Sequence, residues 1–261
     1  IWIGTTNGLF IYNPGKDQFR QFEKNIVGPK SINNLLEDSD GDIWIATRTN
    51  GIFRYNKSMQ SLQSYSYQQD RSGIPDNFIN YIFEDSRKNI WIGTLEGGLC
   101  KFNKTNESFT TYTIEDGLPS NTIYAITESS SGNLWLSTYH RGIEYFNKNT
   151  GEFTHYNTTT LPNLPSNNVW TVVEDGNGKI YIGHVEHGMS IVSLKTKRVK
   201  NFKYNPDNKN GIPGNHVHCI YKDSTDNIWI GTERGAALFD TQTEQFFSIN
   251  QIANIPSTST V

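Results

Sequence analysis

The stretch LPSNTIYAITESSSGNLWLSTYHRGIEYFNKNTGEFTHY (Leu118–Tyr156) decides the fold. It opens on a Pro-containing loop, Leu118-Pro119-Ser120-Asn121, and runs into an apolar segment that ends at Glu128 before the Gly132-Asn133 turn. A second apolar run, Leu134–Thr138, leads through Tyr139-His140-Arg141 into a third, Gly142–Phe146. A polar turn and a short run, Phe153–Tyr156, complete the stretch. Short apolar and aromatic runs punctuated by Gly, Asn, Ser and Pro predict strands joined by tight turns. Helical 3.6-residue periodicity does not persist anywhere in the chain.

The same pattern recurs on both sides. The segment Leu134–Thr138 has counterparts at Ile1–Thr5, Ile43–Thr47, Ile90–Thr94, Ile180–His184 and Ile228–Thr232. Their central aromatics, Trp2, Trp44, Trp91, Trp135, Tyr181 and Trp229, stand 42, 47, 44, 46 and 48 residues apart. A period in the mid-forties is the length of one four-stranded propeller blade. We label the strands of a repeat A to D, with the Trp-bearing run as B. One sheet cannot bury both of its faces alone. Blades packed against one another can, and the anchor aromatics are the obvious fillers between them. The fold class expected is therefore all-β, a β-propeller of four-stranded antiparallel blades over residues 1–261 with six repeat units. The sequence starts at a B strand. It ends at Ile255-Pro256-Ser257-Thr258-Ser259-Thr260-Val261, which aligns with Leu118–Tyr124, the run into an A strand. Six B–C–D units, five A strands and half of a sixth are thus expected, either closing a six-bladed ring or forming a piece of a longer receptor; the second is favoured.

Composition narrows the function classes. The 261 residues carry 23 Lys and Arg against 26 Asp and Glu, a formal charge of −3, which speaks against a nucleic-acid binder. No apolar run approaches membrane-spanning length. Cys100 and Cys219 are too few and too far apart for a disulfide framework or a zinc site, and read as two buried small hydrophobes. No phosphate loop, HExxH or Gly-x-Ser-x-Gly elbow is present. No cofactor is expected.

Leu118–Tyr156 closely resembles the two-component regulator propeller repeat, in its Leu-Pro-Ser-Asn loop, its Asn-Leu-Trp-Leu strand, its Gly-Ile-Glu-Tyr-Phe-Asn hairpin and its Phe-Thr-His-Tyr outer strand. The Glu-Asp turn belonging to that pattern follows strand A at Glu84-Asp85 and Glu174-Asp175, and the resemblance extends over essentially the whole chain. It implies the periplasmic sensor region of a Bacteroidetes hybrid two-component histidine kinase. A larger receptor, often with seven-bladed rings, a membrane helix and a kinase beyond this segment, would follow, and the ligand would be an oligosaccharide controlling polysaccharide-utilisation genes. The resemblance further implies neighbouring sensor domains and a homodimer as partners, and no nucleic acid or membrane contact through this segment. It supplies no residue motif for the ligand.

The residues themselves suggest where to look. The A–B turns, such as Asp38–Gly41 and Asp85–Asn89, are alike from repeat to repeat, as turn chemistry requires, and offer at most weak Ca²⁺ binding. The B–C turns vary and gather polar groups: Arg48, Glu96, Tyr139, His140, Arg141, Glu186, His187, Glu233 and Arg234, with His184 ending a B strand. Variable loops on a rigid scaffold are the usual place for binding chemistry, although any one of these residues can equally be a solvated rim. Aligned on the anchor, Tyr124 corresponds to Asn33, Asn80, Trp170 and His218, and Thr122 corresponds to Ser31, Phe78, Asn168 and His216. By the period-2 rule these two positions share one face, starting at the B–C end. Trp170 is the sixth Trp and the one outside the anchor pattern. An aromatic face beside amides, His and Arg suits a sugar. Two other readings stand beside this one. A protein-interaction scaffold would show an apolar patch and no small-ligand pocket. A metal-dependent propeller lyase would build on His184, Glu186 and His187 with His216 and His218.

Overall fold

The computed structural model describes residues 1–23, 27, 30–68 and 73–249. The tail expected to supply half an A strand, residues 255–261, lies outside the described residues. The chain divides into two compact units, Ile1–Ile126 and Thr127–Val261, with the division falling inside a strand. The first unit holds β1 (Trp2–Thr5), β2 (Gly8–Asn13) and β3 (Gln18–Gln21) as one sheet. Its second sheet is β4 (Ile32–Glu37), β5 (Ile43–Thr47), β6 (Ile52–Asn56) and β7 (Ser61–Tyr65). The third is β8 (Ile79–Glu84), β9 (Ile90–Thr94), β10 (Leu99–Asn103) and β11 (Ser108–Tyr112). Next come a 3₁₀ turn, Ile114–Asp116, and β12 (Ile123–Glu128), the strand that contains the division. The second unit continues with β13 (Leu134–Thr138), β14 (Gly142–Phe146) and β15 (Phe153–Tyr156). Then follow β16 (Val169–Glu174), β17 (Lys179–His184), β18 (Met189–Ser193) and β19 (Val199–Phe202), and finally β20 (Val217–Lys222), β21 (Ile228–Thr232), β22 (Gly235–Asp240) and β23 (Gln245–Ser248). Each sheet is an antiparallel meander in chain order. Five have four strands and the first has three among the described residues, which are the blades of a β-propeller.

Sheets of one unit stack through their faces. In the first unit, Leu9 and Phe22 meet Ile43, Ile45 and Phe53, while Trp44 and Ile52 meet Ile79, Ile82 and Phe102. In the second, Trp135 and Ile143 meet Val169, Val172 and Ile180, and Tyr181 and Met189 meet Val217, Ile220 and Phe239. Trp44, Trp91, Trp135 and Tyr181 are fully buried, as fillers should be. Burying each such side chain contributes about 1.5–3 kcal/mol.

Two hydrogen-bonded devices repeat with the blades. The first closes the A–B turn on the anchor. Asp85 accepts from Arg87 N, Asn89 N and, at 2.9 Å, the Trp91 indole N–H. Asp38 does the same for Trp44 at 2.8 Å and Asp223 for Trp229 at 2.8 Å. These carboxylates are therefore occupied by N–H donors of their own turns, and the weak Ca²⁺ expectation finds no ligand set there. Where Ser129 replaces the Asp, the Trp135 indole turns instead to Glu174 of the following repeat, at 2.7 Å. Lys104 adds a cation to the Asp38 turn, 3.0 Å from Asp38, 2.7 Å from Asp40 and 3.1 Å from Glu84.

The second device ties one blade to the next. The Asn of each Pro-x-Asn loop takes two N–H groups of the preceding blade. The carbonyls of Asn77, Asn121, Asn167 and Asn215 accept from Gly51, Gly98, Gly142 and Gly188 at 2.9, 2.9, 3.0 and 2.7 Å. Their side-chain oxygens accept from the backbone N–H of Tyr67, Ile114, Thr158 and Tyr204, just past strand D. Each Gly has a positive φ, and a Cβ on Gly98 would stand 2.2 Å from the Tyr112 carbonyl oxygen. Only glycine fits.

Two buried titratable groups depart from the repeat. In five repeats strand B ends in Thr, whose hydroxyl donates to a Gly carbonyl: Thr5 to Gly8, Thr47 to Gly51, Thr94 to Gly98, Thr138 to Gly142, Thr232 to Gly235. The remaining repeat has His184, fully buried, with Nε2 2.7 Å from Ser190 Oγ. Ser190 donates to Asn201, so it accepts from Nε2–H of His184. Burial holds this imidazole down to about 3. Glu144 is also fully buried, with Oε2 against His155 Nδ1, and burial pushes its carboxyl up to about 9.

Asp85→Ala should lower the unfolding free energy by about 3 kcal/mol, because it strands a buried indole N–H and two turn amides. Gly98→Ala should cost about 2 kcal/mol or more through its left-handed φ and the carbonyl contact. Both are read by urea melts, and an unchanged midpoint would refute the role assigned. The titrating pair acts in opposite senses. His184 is neutral when folded, so its contribution is full above about 6.5, its unfolded value, and is lost as pH falls toward about 3. Glu144 is protonated when folded, so its contribution is full below about 4.5 and is lost as pH rises toward about 9. In melting temperatures taken across pH 4–9, Glu144→Gln should flatten the alkaline limb and His184→Asn the acid limb.

Candidate ligand-binding site

In four repeats the start of strand A and the B–C turn lie together, with Arg48, Leu95, Val185 and Glu233 donating their N–H to the carbonyls of Ser31, Phe78, Asn168 and His216. The strand is not regular there. Pairing with strand B slips between Ile32 and Asn34, Ile79 and Tyr81, Val169 and Thr171, and Val217 and Cys219. Asn33, Asn80, Trp170 and His218 are thus bulge residues. The simple period-2 face expected from sequence does not run through this point, since a bulge re-aims its side chain.

The bulge side chains do different things in the two units. In the first, Asn33 donates to the Ile79 carbonyl at 2.9 Å and Asn80 donates to the Ile123 carbonyl at 3.0 Å. Both amides are spent on the next A strand, which gives Asn80 a structural task. In the second unit the Trp170 ring leans toward the next repeat instead. Its centroid stands 5.8 Å from His216 and 6.4 Å from His218, both edge to face, and the two imidazoles stack at 4.5 Å. Trp170 is 36% exposed and His218 is exposed, so this aromatic step faces solvent. The Trp170 backbone is anchored from below, its carbonyl accepting from Ser137 Oγ at 3.0 Å.

The other candidates of the second unit sort by what they touch. Tyr139, His140 and Arg141 form an exposed turn, with the Tyr139 ring edge-on to His140. Glu186 is exposed at the tip of its turn, and His187 Nδ1 lies 2.9 Å from the Val185 carbonyl. His140 and Glu186 adopt positive φ, but Lys88 and Asp226 do so in plain turns, so the conformation carries no functional weight. Arg234 is stacked over the Tyr204 ring at 4.4 Å. Glu233 is a loop anchor, accepting from Asn215 N at 3.1 Å and His216 N at 2.9 Å. It holds the backbone that carries His216 rather than presenting a free carboxylate. His184 corrects the sequence expectation, because it is fully buried and its ring serves the Ser190–Asn201 chain. Cys219 is a further correction: Cys100 is buried, but Cys219 is exposed.

In the first unit, Arg48 lies over the Phe78 ring at 5.6 Å. Glu96 stands on the wall of a cleft of about 600 Å³. Sequence reasoning missed the rest of that wall, which comes from the D–A loops: Tyr67, Gln68, Ile114, Glu115, Asp116 and Asn121. Those loops are tied down by the Asn77 and Asn121 side chains, so the Asn of each Pro-x-Asn loop was the available signal. Among the described residues no group of three or more His, Cys, Asp or Glu is placed to hold a metal ion, and no helix is long and apolar enough to cross a membrane.

Known proteins place this geometry. The family model described as two component regulator propeller matches residues 27–49, 73–96, 117–140, 163–186 and 211–234, each spanning a D–A loop, strand A and strand B. No curated protein matches the chain. Among solved structures, the extracellular domain of a hybrid two component system from B. thetaiotaomicron is 41% identical, with a TM-score of 0.74 over 83% of this chain and 29% of that one. A second B. thetaiotaomicron extracellular domain, described as from a one component system, is 22% identical, with a TM-score of 0.73 over 95% of this chain and 34% of that one. Virginiamycin B lyase from Staphylococcus aureus is 16% identical, with a TM-score of 0.72 over 95% of this chain and 80% of that one, a likeness of fold alone. The chain spans about a third of the length of the two B. thetaiotaomicron domains it matches. With the repeat matched five times along a chain of propeller blades, the protein belongs to the two component regulator propeller family, and its relatives are extracellular domains of bacterial signalling systems.

Proposed function

We propose that this chain is the ligand-sensing part of a periplasmic receptor region of a hybrid histidine kinase. In this reading its ligand is an oligosaccharide bound where Trp170, His216 and His218 meet, and the segment itself is not an enzyme. The observation that carries the ligand assignment is the solvent-facing step of one indole and two imidazoles. It replaces the amide ties that the same bulge makes in Asn33 and Asn80. An indole face offers a sugar ring its apolar surface, while imidazole nitrogens offer partners to hydroxyls. The extracellular relatives support the sensor role. Two further points favour sensing over the other readings. A lyase would need a metal-holding group that the described residues do not form. A pure interaction scaffold has no use for a cleft of about 600 Å³. Binding would signal by favouring one of two arrangements of this segment against its neighbours, which requires the ligand to prefer one of them.

The test is a thermal-shift and calorimetry screen against defined neutral and acidic oligosaccharides. One glycan class should raise the melting temperature saturably, since a ligand bound to the native state alone stabilises it by mass action. Trp170→Ala should weaken that ligand by about tenfold or more, the scale of a lost aromatic contact with its packing. A glycan that binds the Trp170→Ala protein unchanged would overturn the placement.

A further inference from the structure

The cleft of the first unit carries a chemistry of its own. Three of its walls are acidic, Glu96, Glu115 and Asp116, and no Lys, Arg or His stands among its described lining residues. Asp116 is partly committed, accepting from Thr113 N at 2.9 Å and Thr113 Oγ1 at 3.2 Å in the capping box of the 3₁₀ turn. The backbones of Glu96 and Glu115 are fixed, through Asp76 at 2.8 Å and Thr113 Oγ1 at 3.2 Å, and their carboxylates project from those fixed points. Beside this charge stands an apolar wall open to water. Tyr67 is 50% exposed and Ile114 is 59% exposed, and Pro75 lines the same space. Both exposed residues are held by the inter-blade Asn pins, Tyr67 N by Asn77 and Ile114 N by Asn121, and Tyr67 also bridges to Ile74. Such a wall is preorganised, so a ligand would not have to order it.

The acids do not draw together into a cation site, since no metal-holding trio exists among the described residues. The carboxylates of the described lining are spread along a cleft that also offers a ring and an aliphatic face. A bare metal ion would use neither the Tyr67 ring nor the Ile114 side chain. An extended organic cation uses all three, its ammonium paired with carboxylates and its ring face laid on an aromatic. We propose that this cleft is a binding site for an amine-bearing saccharide, with its ammonium met by Glu96 and Glu115 and its ring face against Tyr67. The saccharide part rests on the oligosaccharide reading above; the preference for positive charge does not.

The probes are the β-1,4 glucosamine trimer, its tri-N-acetylated counterpart and the neutral glucose trimer, measured by calorimetry at pH 6 in low and high salt. The glucosamine trimer should bind. It should bind at least tenfold more tightly than either neutral trimer, and it should weaken as salt screens the carboxylates. Glu96→Gln with Glu115→Gln, two exposed changes checked for an unaltered melting temperature, should lower its affinity at least tenfold. Tyr67→Ala should lower its affinity as well. No binding of the glucosamine trimer, equal binding of the acetylated trimer, or unchanged binding to the double Gln variant would each overturn the proposal. Loss of a different glycan in Trp170→Ala alongside any of those results would leave the sensor reading standing, so the two failures are distinguishable.

Discussion

Everything in this chain depends on how one sheet is fastened to the next, and that fastening is a single Asn. Burial between blades is large but does not specify direction; any two apolar faces will adhere. The Asn of the Pro-x-Asn loop supplies the register. Its carbonyl takes the Gly N–H at the head of strand C, and its side chain takes the N–H two residues beyond strand D. Both donors sit where their own sheet has no partner for them, so the next repeat completes the hydrogen bonding of the previous one. The positive-φ Gly is the other half of the arrangement, because the D strand's last carbonyl occupies the place of a Cβ. The chain reads as Gly-then-Asn at four blade boundaries, Gly51–Asn77, Gly98–Asn121, Gly142–Asn167 and Gly188–Asn215, and the candidate sites are surfaces around these ties.

The fold was legible in the sequence because its physics is repetitive. The anchor aromatic, the Asp turn and the Gly turn recur at one spacing, and each recurrence raises confidence in the others. Trp44, Trp91 and Trp135 are the fillers they were read to be. The site was less legible, and the reasons are specific. A bulge inserts one residue without changing the residue pattern, so Trp170 and His218 read as members of a regular strand face. His184 reads as a polar rim residue because its neighbours Glu186 and His187 are; only the hydrogen-bond partner Ser190, on the facing strand, shows that the ring points inward. Glu233 presents the same chemistry as Glu96 in sequence, yet one closes on backbone amides and the other lines a cleft. Cys219 is exposed because strand A of the sixth sheet keeps one side uncovered among the described residues, which no local pattern encodes.

The two units set contrasting surfaces on equivalent scaffolding. At the bulge, the first unit uses short amides that reach the neighbouring backbone and leave little for a ligand. The second uses rings that meet rings. At the D–A loops, the first unit opens an acidic cleft with an exposed Tyr and Ile. The B–C turns of both units carry arginines, Arg48 in the first and Arg141 and Arg234 in the second. Neither the Asn pin nor the Asp turn uses the rings of Trp170, His216 and His218 or the carboxylates of Glu96 and Glu115. Recognition chemistry is thereby separated from the bonds that keep the blades in place.

The exchange at Ser129 has a mechanical meaning. In the repeats anchored by Asp38, Asp85 and Asp223 the indole is tied within its own blade. The Trp135 blade has given that independence away, its indole being held by Glu174 of the blade that follows. The following blade in turn carries Tyr181, with no indole to occupy its own Asp175. The two are a matched couple: removing the later blade by recombination would leave an unpaired buried donor in the earlier one. Under pulling force the two should come apart together, as one unit of about ninety residues.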